Sequence, residues 1–205
     1  MQTINKSLFK NTLTYTWFAY PIAGILMALL WLWAFPTFHD ADAHRKLSIF
    51  LATDVTNQEF AENIKAKYNP DILRKVNLSY ALPNTATYSE KLRIALSDSD
   101  ILILTRPVFE SYEGSNFGYG LYFVKITDYI KEQVQIDDSV VYNDYSIRLK
   151  NKGENHYLEN YMTFADEDYV ICFSQSSQNL GTAIYSWNGQ YTNAFSFVHY
   201  LLEGE

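Results

Sequence analysis

Five polar side chains stand just beyond three apolar runs. Thr53 and Asp54 follow the run 47–52, Asn84 follows 76–82, and Thr105 with Arg106 follows 101–104. A guanidinium such as that of Arg106 matches a carboxylate or phosphate through two parallel N–H···O bonds. The hydroxyls of Thr53 and Thr105 and the amide of Asn84 add neutral donors and acceptors, and Asp54 adds an acceptor. This is chemistry for holding a small polar ligand, not for breaking a covalent bond. The structural alternative is that these are solvated loop and cap residues. A second set is aromatic: Phe109, Tyr112, Phe117 and Tyr119, with Tyr122, lie in or beside the Gly-containing stretch 110–120. Such rings stack on sugars or anchor a partner protein, unless they simply pack the loop onto the core. On the binding reading, Tyr119→Ala and Phe117→Ala weaken binding and leave stability intact.

No catalytic arrangement stands out. There is no Ser-His-Asp order and no isolated carboxylate pair, and the glycines lack the Gly-Lys-Ser/Thr of a phosphate-cradling loop. Cys172 is the single cysteine. It lies within YVICF (169–173) without a basic neighbour in sequence and reads as a small buried hydrophobe. One thiol excludes an intramolecular disulfide and a cysteine-rich zinc site. Asp137-Asp138 and Asp166-Glu167-Asp168 lack the spacing of a calcium loop. His39 and His44 flank a hydrated connector, and His156 and His199 are scattered. The expectation is a binding protein with no enzyme activity, no cofactor and no metal.

The elements that position these residues begin with a β-α-β-α-β unit. LSIFLA (47–52) reads as a buried strand. Thr56-Asn57-Gln58-Glu59 is a capping box leading to Phe60, Ile64 and Tyr68 at helical spacing, stopped by Asn69-Pro70. Val76, Leu78, Tyr80 and Leu82 alternate with polar residues as a second strand. Thr87-Tyr88-Ser89-Glu90 caps another helix carrying Leu92, Ala95 and Leu96, and ILIL (101–104) is a third strand. Strands apolar on both faces and joined by helices predict a mainly parallel sheet covered on both sides. Right-handed crossovers then place both helices on one face. Further on, the pattern predicts a helix over 123–133, strands at 140–142, 145–149 and 169–173, a turn at 151–155, and a last helix from about Thr192. The expected fold is α/β, one three-layer domain over 46–205.

Ahead of it, WFAYPIAGILMALLWLWAF (17–35) has no charged residue. Its rise of about 28 Å matches a hydrocarbon core of about 30 Å. Trp17 and Tyr20 near one end and Trp31 and Trp33 near the other form aromatic belts. Lys6, Lys10 and the terminal amine precede this span, and Asp40 and Asp42 follow it. That bias predicts residues 1–16 in the cytoplasm, a bilayer-embedded helix at 17–35, a linker at 36–45, and an extracytoplasmic domain of a single-pass membrane protein. Ala41-Asp42-Ala43 has the form of a cleavage site, but it lies eight residues beyond Phe35, so an uncleaved anchor is expected. Removing Lys6, Lys10, Arg45, Asp40 and Asp42 leaves 13 basic and 21 acidic side chains, a net charge of -8. A domain so charged repels phosphate backbones, which argues against nucleic acid as a partner.

The order of segments resembles the opening of the N-terminal lobe of extracellular solute-binding proteins of ABC importers. The residues that carry the likeness are the first strand with its capped helix and 88–92 leading through 98–104. To these add 124–131, after the aromatic loop, and the strand, Ser/Asn-rich turn and helix of 169–202. The resemblance implies one lobe of a periplasmic-binding-protein fold and a role in transport. It also implies a small polar ligand such as a sugar, an amino acid or a peptide. Two departures stand against it: the chain has room for one lobe only, and no cysteine follows the apolar span to take a lipid. The expected function is a membrane-anchored binding or accessory domain recognising a small polar solute or a membrane partner. The alternative is a structural protein that docks another membrane protein and takes no small ligand.

Overall fold

The computed structural model describes residues 19–39, 45–55, 59–67, 73–114, 118–149, 158, 160–164, 168–177, 179–180 and 193–203. The chain divides into two compact units, 1–40 and 41–205. In the first, helix α1 runs Ala19–His39. Apolar residues occupy every face from 19 to 35, and exposure reaches 71% at Trp33. Among the described residues no helix is long and apolar enough to cross a membrane. Side chains of α1 are described for 19–35, a rise of about 26 Å against a hydrocarbon core of about 30 Å. Trp17 and Phe18, which the expected span also needs, lie outside the described residues.

The second unit is α/β. Its strands are β1 (Lys46–Leu51), β2 (Asp54–Val55), β3 (Lys75–Tyr80), β4 (Ile101–Thr105), β5 (Val141–Asn143), β6 (Ser146–Arg148), β7 (Met162–Thr163) and β8 (Tyr169–Phe173). Its helices are α2 (Glu59–Lys67), α3 (Tyr88–Asp98), α4 (Arg106–Glu110), α5 (Asp128–Val134) and α6 (Asn193–Glu203). Phe60 and Ile64, one turn apart, are the fully buried pair of α2, as the spacing predicts; Thr56, Asn57, Gln58 and Tyr68 lie outside the described residues. The predominantly apolar strands β4 and β8 are buried at every position, as strands without a polar face are.

Six strands form one sheet in the order β3-β1-β4-β8-β6-β5, and β2 pairs with β7 in a separate ribbon. β1 pairs in parallel with β3 and β4. The contacts of β4 with β8, β8 with β6, and β6 with β5 are antiparallel. The sheet is therefore mixed, which corrects the expectation of a mainly parallel one. A five-residue apolar run such as 169–173 looks the same in either direction, so its sequence does not fix how it pairs.

The placement of the first two helices is also corrected. Register aligns Ile49 with Ile101 and Ile101 with Phe173, so these share a face. Phe195 of α6 meets Phe173 edge-on at 5.2 Å, and Phe60 of α2 meets Phe197 of α6 at 6.5 Å. The next register line, Phe50, Leu102 and Cys172, lies on the opposite face. There Phe50 packs on Tyr88 of α3 at 6.3 Å. α2 and α3 thus cover opposite faces. The chain moves outward from β1 to β3 and then back past β1 to β4; reversing travel while keeping right-handed crossovers moves the helix to the other side.

The helix expected over 123–133 starts later. Phe123 bridges Ser174 as extended chain. Thr127 caps α5 by accepting from Ile130 N at 3.4 Å, and Ile130 is buried. Each fully buried Phe, Leu or Ile contributes about 1.5–3 kcal/mol of transfer free energy, and one continuous core extends from Leu47 to Leu201.

Candidate functional site

Where neighbouring parallel strands send their chains in opposite directions, a crevice opens beyond their carboxyl ends. In this sheet the neighbours are β1 and β4. Thr53, just beyond β1, is fully buried, and its hydroxyl donates to the Thr163 carbonyl. Asp54 is exposed and opens β2, pairing with Thr163 of β7. The Tyr169 hydroxyl donates to the Ala52 carbonyl at 3.4 Å. The β2–β7 ribbon thereby occupies the carboxyl end of β1. Thr105 is fully buried at the N-cap of α4, and its hydroxyl has no partner among the described residues. Asn84 is exposed in the turn after β3 with φ of 67°, the left-handed region that asparagine tolerates.

Arg106 is committed within the protein. Its Nε donates to Glu110 Oε1 at 2.8 Å, its Nη1 lies 3.7 Å from Asp168 Oδ2, and its guanidinium sits 5.3 Å above the Tyr142 ring. The Tyr142 hydroxyl donates to the same Glu110 oxygen. That hydrogen bond, then the Arg106 donor, holds the Glu110 carboxyl below its ordinary range.

The aromatic residues form a packed layer. Phe109 is fully buried and stacks on Tyr119 at 4.6 Å and 12°, with Phe123 at 5.4 Å and Tyr142 at 6.3 Å. Burial raises the phenol pKa of Tyr112 and of Tyr119. Tyr112 also meets Tyr122 edge-on at 5.1 Å, and the two line a hollow of about 380 Å³ against Leu92, Arg93 and Leu96 of α3. Phe117 lies outside the described residues. Of the nine sequence-derived site residues, the structure thus brings Thr53 and Thr105 to adjacent strand ends and gathers Arg106, Phe109 and Tyr119 around Tyr142.

A larger groove, of about 530 Å³, lies elsewhere, among the end of α5, the segment 135–140, β6 and the end of α6. Its apolar lining is Val134, Ile136, Val140 and Leu202, and its charged lining is Asp137, Arg148 and Glu203, with His199. His199 Nδ1 lies 3.0 Å from the Val134 carbonyl, and Nε2 lies 3.3 Å from Glu203 Oε2. Asp137 Oδ1 accepts from the Ser139 amide at 2.9 Å and from the Ser139 hydroxyl. The hydroxyl first and the amide second keep its carboxyl below the ordinary range. Arg148 sits 5.9 Å above the Tyr142 ring, and no carboxylate among the described residues pairs with it. Gln135, also in the lining, closes α5 in the left-handed conformation at φ 60°, ψ 46°. No motif marked these residues. The one available signal was His199, a polar ring on an otherwise apolar helix stripe.

No protein-family model, no curated protein and no solved structure matches this chain.

Proposed function

We propose that the chain is a membrane-anchored binding or accessory domain on the extracytoplasmic side, built like a single lobe of a solute-binding protein. Its ligand is a small polar solute. The observation that carries this reading is the groove between α5, β6 and α6. Its volume of about 530 Å³ falls within the roughly 300–1,000 Å³ of small-molecule sites, and apolar walls with a few convergent polar groups are their usual lining. The anchor is supported by the 21 residues of α1, uncharged from 19 to 35 and exposing an apolar surface that water disfavours. Residues 17 and 18 extend that uncharged stretch to nineteen.

The test uses the full chain in lipid nanodiscs, melted against a panel of sugars, amino acids and short peptides. A ligand at 100 times its Kd stabilises by about 2.7 kcal/mol, a rise of about 5–11 °C for a domain of this size. No rise with any compound, together with co-purification of one membrane protein, supports the docking alternative instead. Protease added to intact cells should remove the domain; survival there, with loss after permeabilisation, reverses the assigned topology.

A further inference from the structure

We propose that the α5–β6–α6 groove takes a small zwitterion: a carboxylate and an ammonium a few atoms apart on an apolar body, with a free aliphatic amino acid as the simplest form. The proposal rests on the reading of this chain as a ligand-binding domain and names the class of ligand.

Charge is the first argument. Arg148 lines the groove with its guanidinium 5.9 Å above the Tyr142 ring, and it pairs with no carboxylate among the described residues. The same lining holds two carboxylates, Asp137 and Glu203, the latter 3.3 Å from His199 Nε2. Ser139 bonds one oxygen of Asp137 through its amide and its hydroxyl, and the Val140 amide adds a further donor to the carboxylate, which therefore stays ionised in the groove lining. A plain anion would meet both carboxylates and a plain cation would meet Arg148. A molecule carrying both signs answers each, with the guanidinium forking onto its carboxylate. Val134, Ile136, Val140 and Leu202 supply the wall for an aliphatic side chain.

The second argument is Gln135. A helix that ends in the left-handed conformation ordinarily does so on glycine, because a Cβ there costs about 1–2 kcal/mol. Gln135 holds this conformation at φ 60°, and no hydrogen bond of its side chain to another described residue offsets that cost. Backbone strain of this kind collects where a side chain serves a ligand, and the Gln135 amide stands in the groove lining with a donor and an acceptor to offer.

The experiment is titration calorimetry on the full chain in nanodiscs with four probes: leucine, 4-methylpentanoate, 3-methylbutylamine and glucose. Leucine should bind, and the carboxylate-only, amine-only and polyol probes should bind at least ten-fold more weakly. Arg148→Gln should weaken leucine binding at least ten-fold, and Gln135→Gly several-fold with a melting point no lower than the parent's. Equal binding of leucine and either single-charge analogue on the unaltered chain overturns the proposal, whatever the variants do. So does undiminished leucine affinity in a folded Arg148→Gln protein. If glucose binds and leucine does not, the zwitterion assignment fails while the binding function stands. If no compound of this set or the wider panel binds, the binding function itself fails.

Discussion

Phe109→Ala separates a packed aromatic layer from an aromatic binding surface. The Phe109 side chain is fully buried, stacked on Tyr119 at 4.6 Å and in contact distance of Phe123 and Tyr142. Removing a buried ring costs about 3–5 kcal/mol, the lost transfer free energy plus the cavity left behind. The stack with Tyr119 belongs to that total, at about 0.5–1.5 kcal/mol. At about 2–4 °C per kcal/mol for a domain of this size, the melting point should fall by about 6–20 °C. Far-UV circular dichroism melts of parent and variant measure it, with guanidinium unfolding as the independent check. Tyr119→Ala, at a half-buried position, should cost less, because part of its ring is already in water. A Phe109→Ala protein that melts within about 2 °C of the parent, and loses ligand instead, would show that the ring faces a ligand and refute the packing argument.

Three further outcomes follow from the same geometry. Cys172 is fully buried and its thiol pKa is pushed well up by desolvation; alkylating reagents at mildly alkaline pH should label it only as fast as the domain unfolds, and fast labelling of folded protein would place it at the surface. Tyr142→Phe removes the main hydrogen bond that depresses the Glu110 carboxyl, so carbon-detected NMR should show Glu110 titrating closer to 4.5. Because that folded-state value is lowered, the contribution of Glu110 is complete above 4.5 and disappears as pH falls through the folded value; the variant should lose part of this acid dependence. Gln135→Gly relieves a left-handed non-glycine residue and should stabilise the domain by about 1 kcal/mol in denaturant unfolding; a loss of stability would mean that the amide carries a structural bond.

The β-α-β-α-β opening was legible because its signals are local. Phe60 and Ile64 mark one face of a helix, and ILIL at 101–104 is too short for a helix and half β-branched, which reads as a buried strand. What escaped was relational. Nothing in 47–105 says whether β4 joins β1 on the far side from β3, yet that choice moves α3 across the sheet. The direction of 169–173 escaped for the same reason. The strand-end rule found Thr53 and Thr105 but not the ribbon of β2 and β7 that fills their neighbourhood, since two-residue strands carry no period. The groove was beyond reach, because its lining comes from 134–140, from Arg148 and from the end of α6. His199 meets the Val134 carbonyl across 65 positions, and no spacing along the chain announces that meeting.

The position of β8 has a consequence for assembly. A segment numbered 169–173 sits in the middle of the sheet, between β4 and β6. Until that late segment has been synthesised, β4 offers an open row of amides and carbonyls where its partner belongs. Such an unfilled slot invites pairing with another nascent chain. Most of the polypeptide must therefore be made before the sheet can close, and a chain cut short before residue 169 would be left in two unjoined halves prone to aggregate.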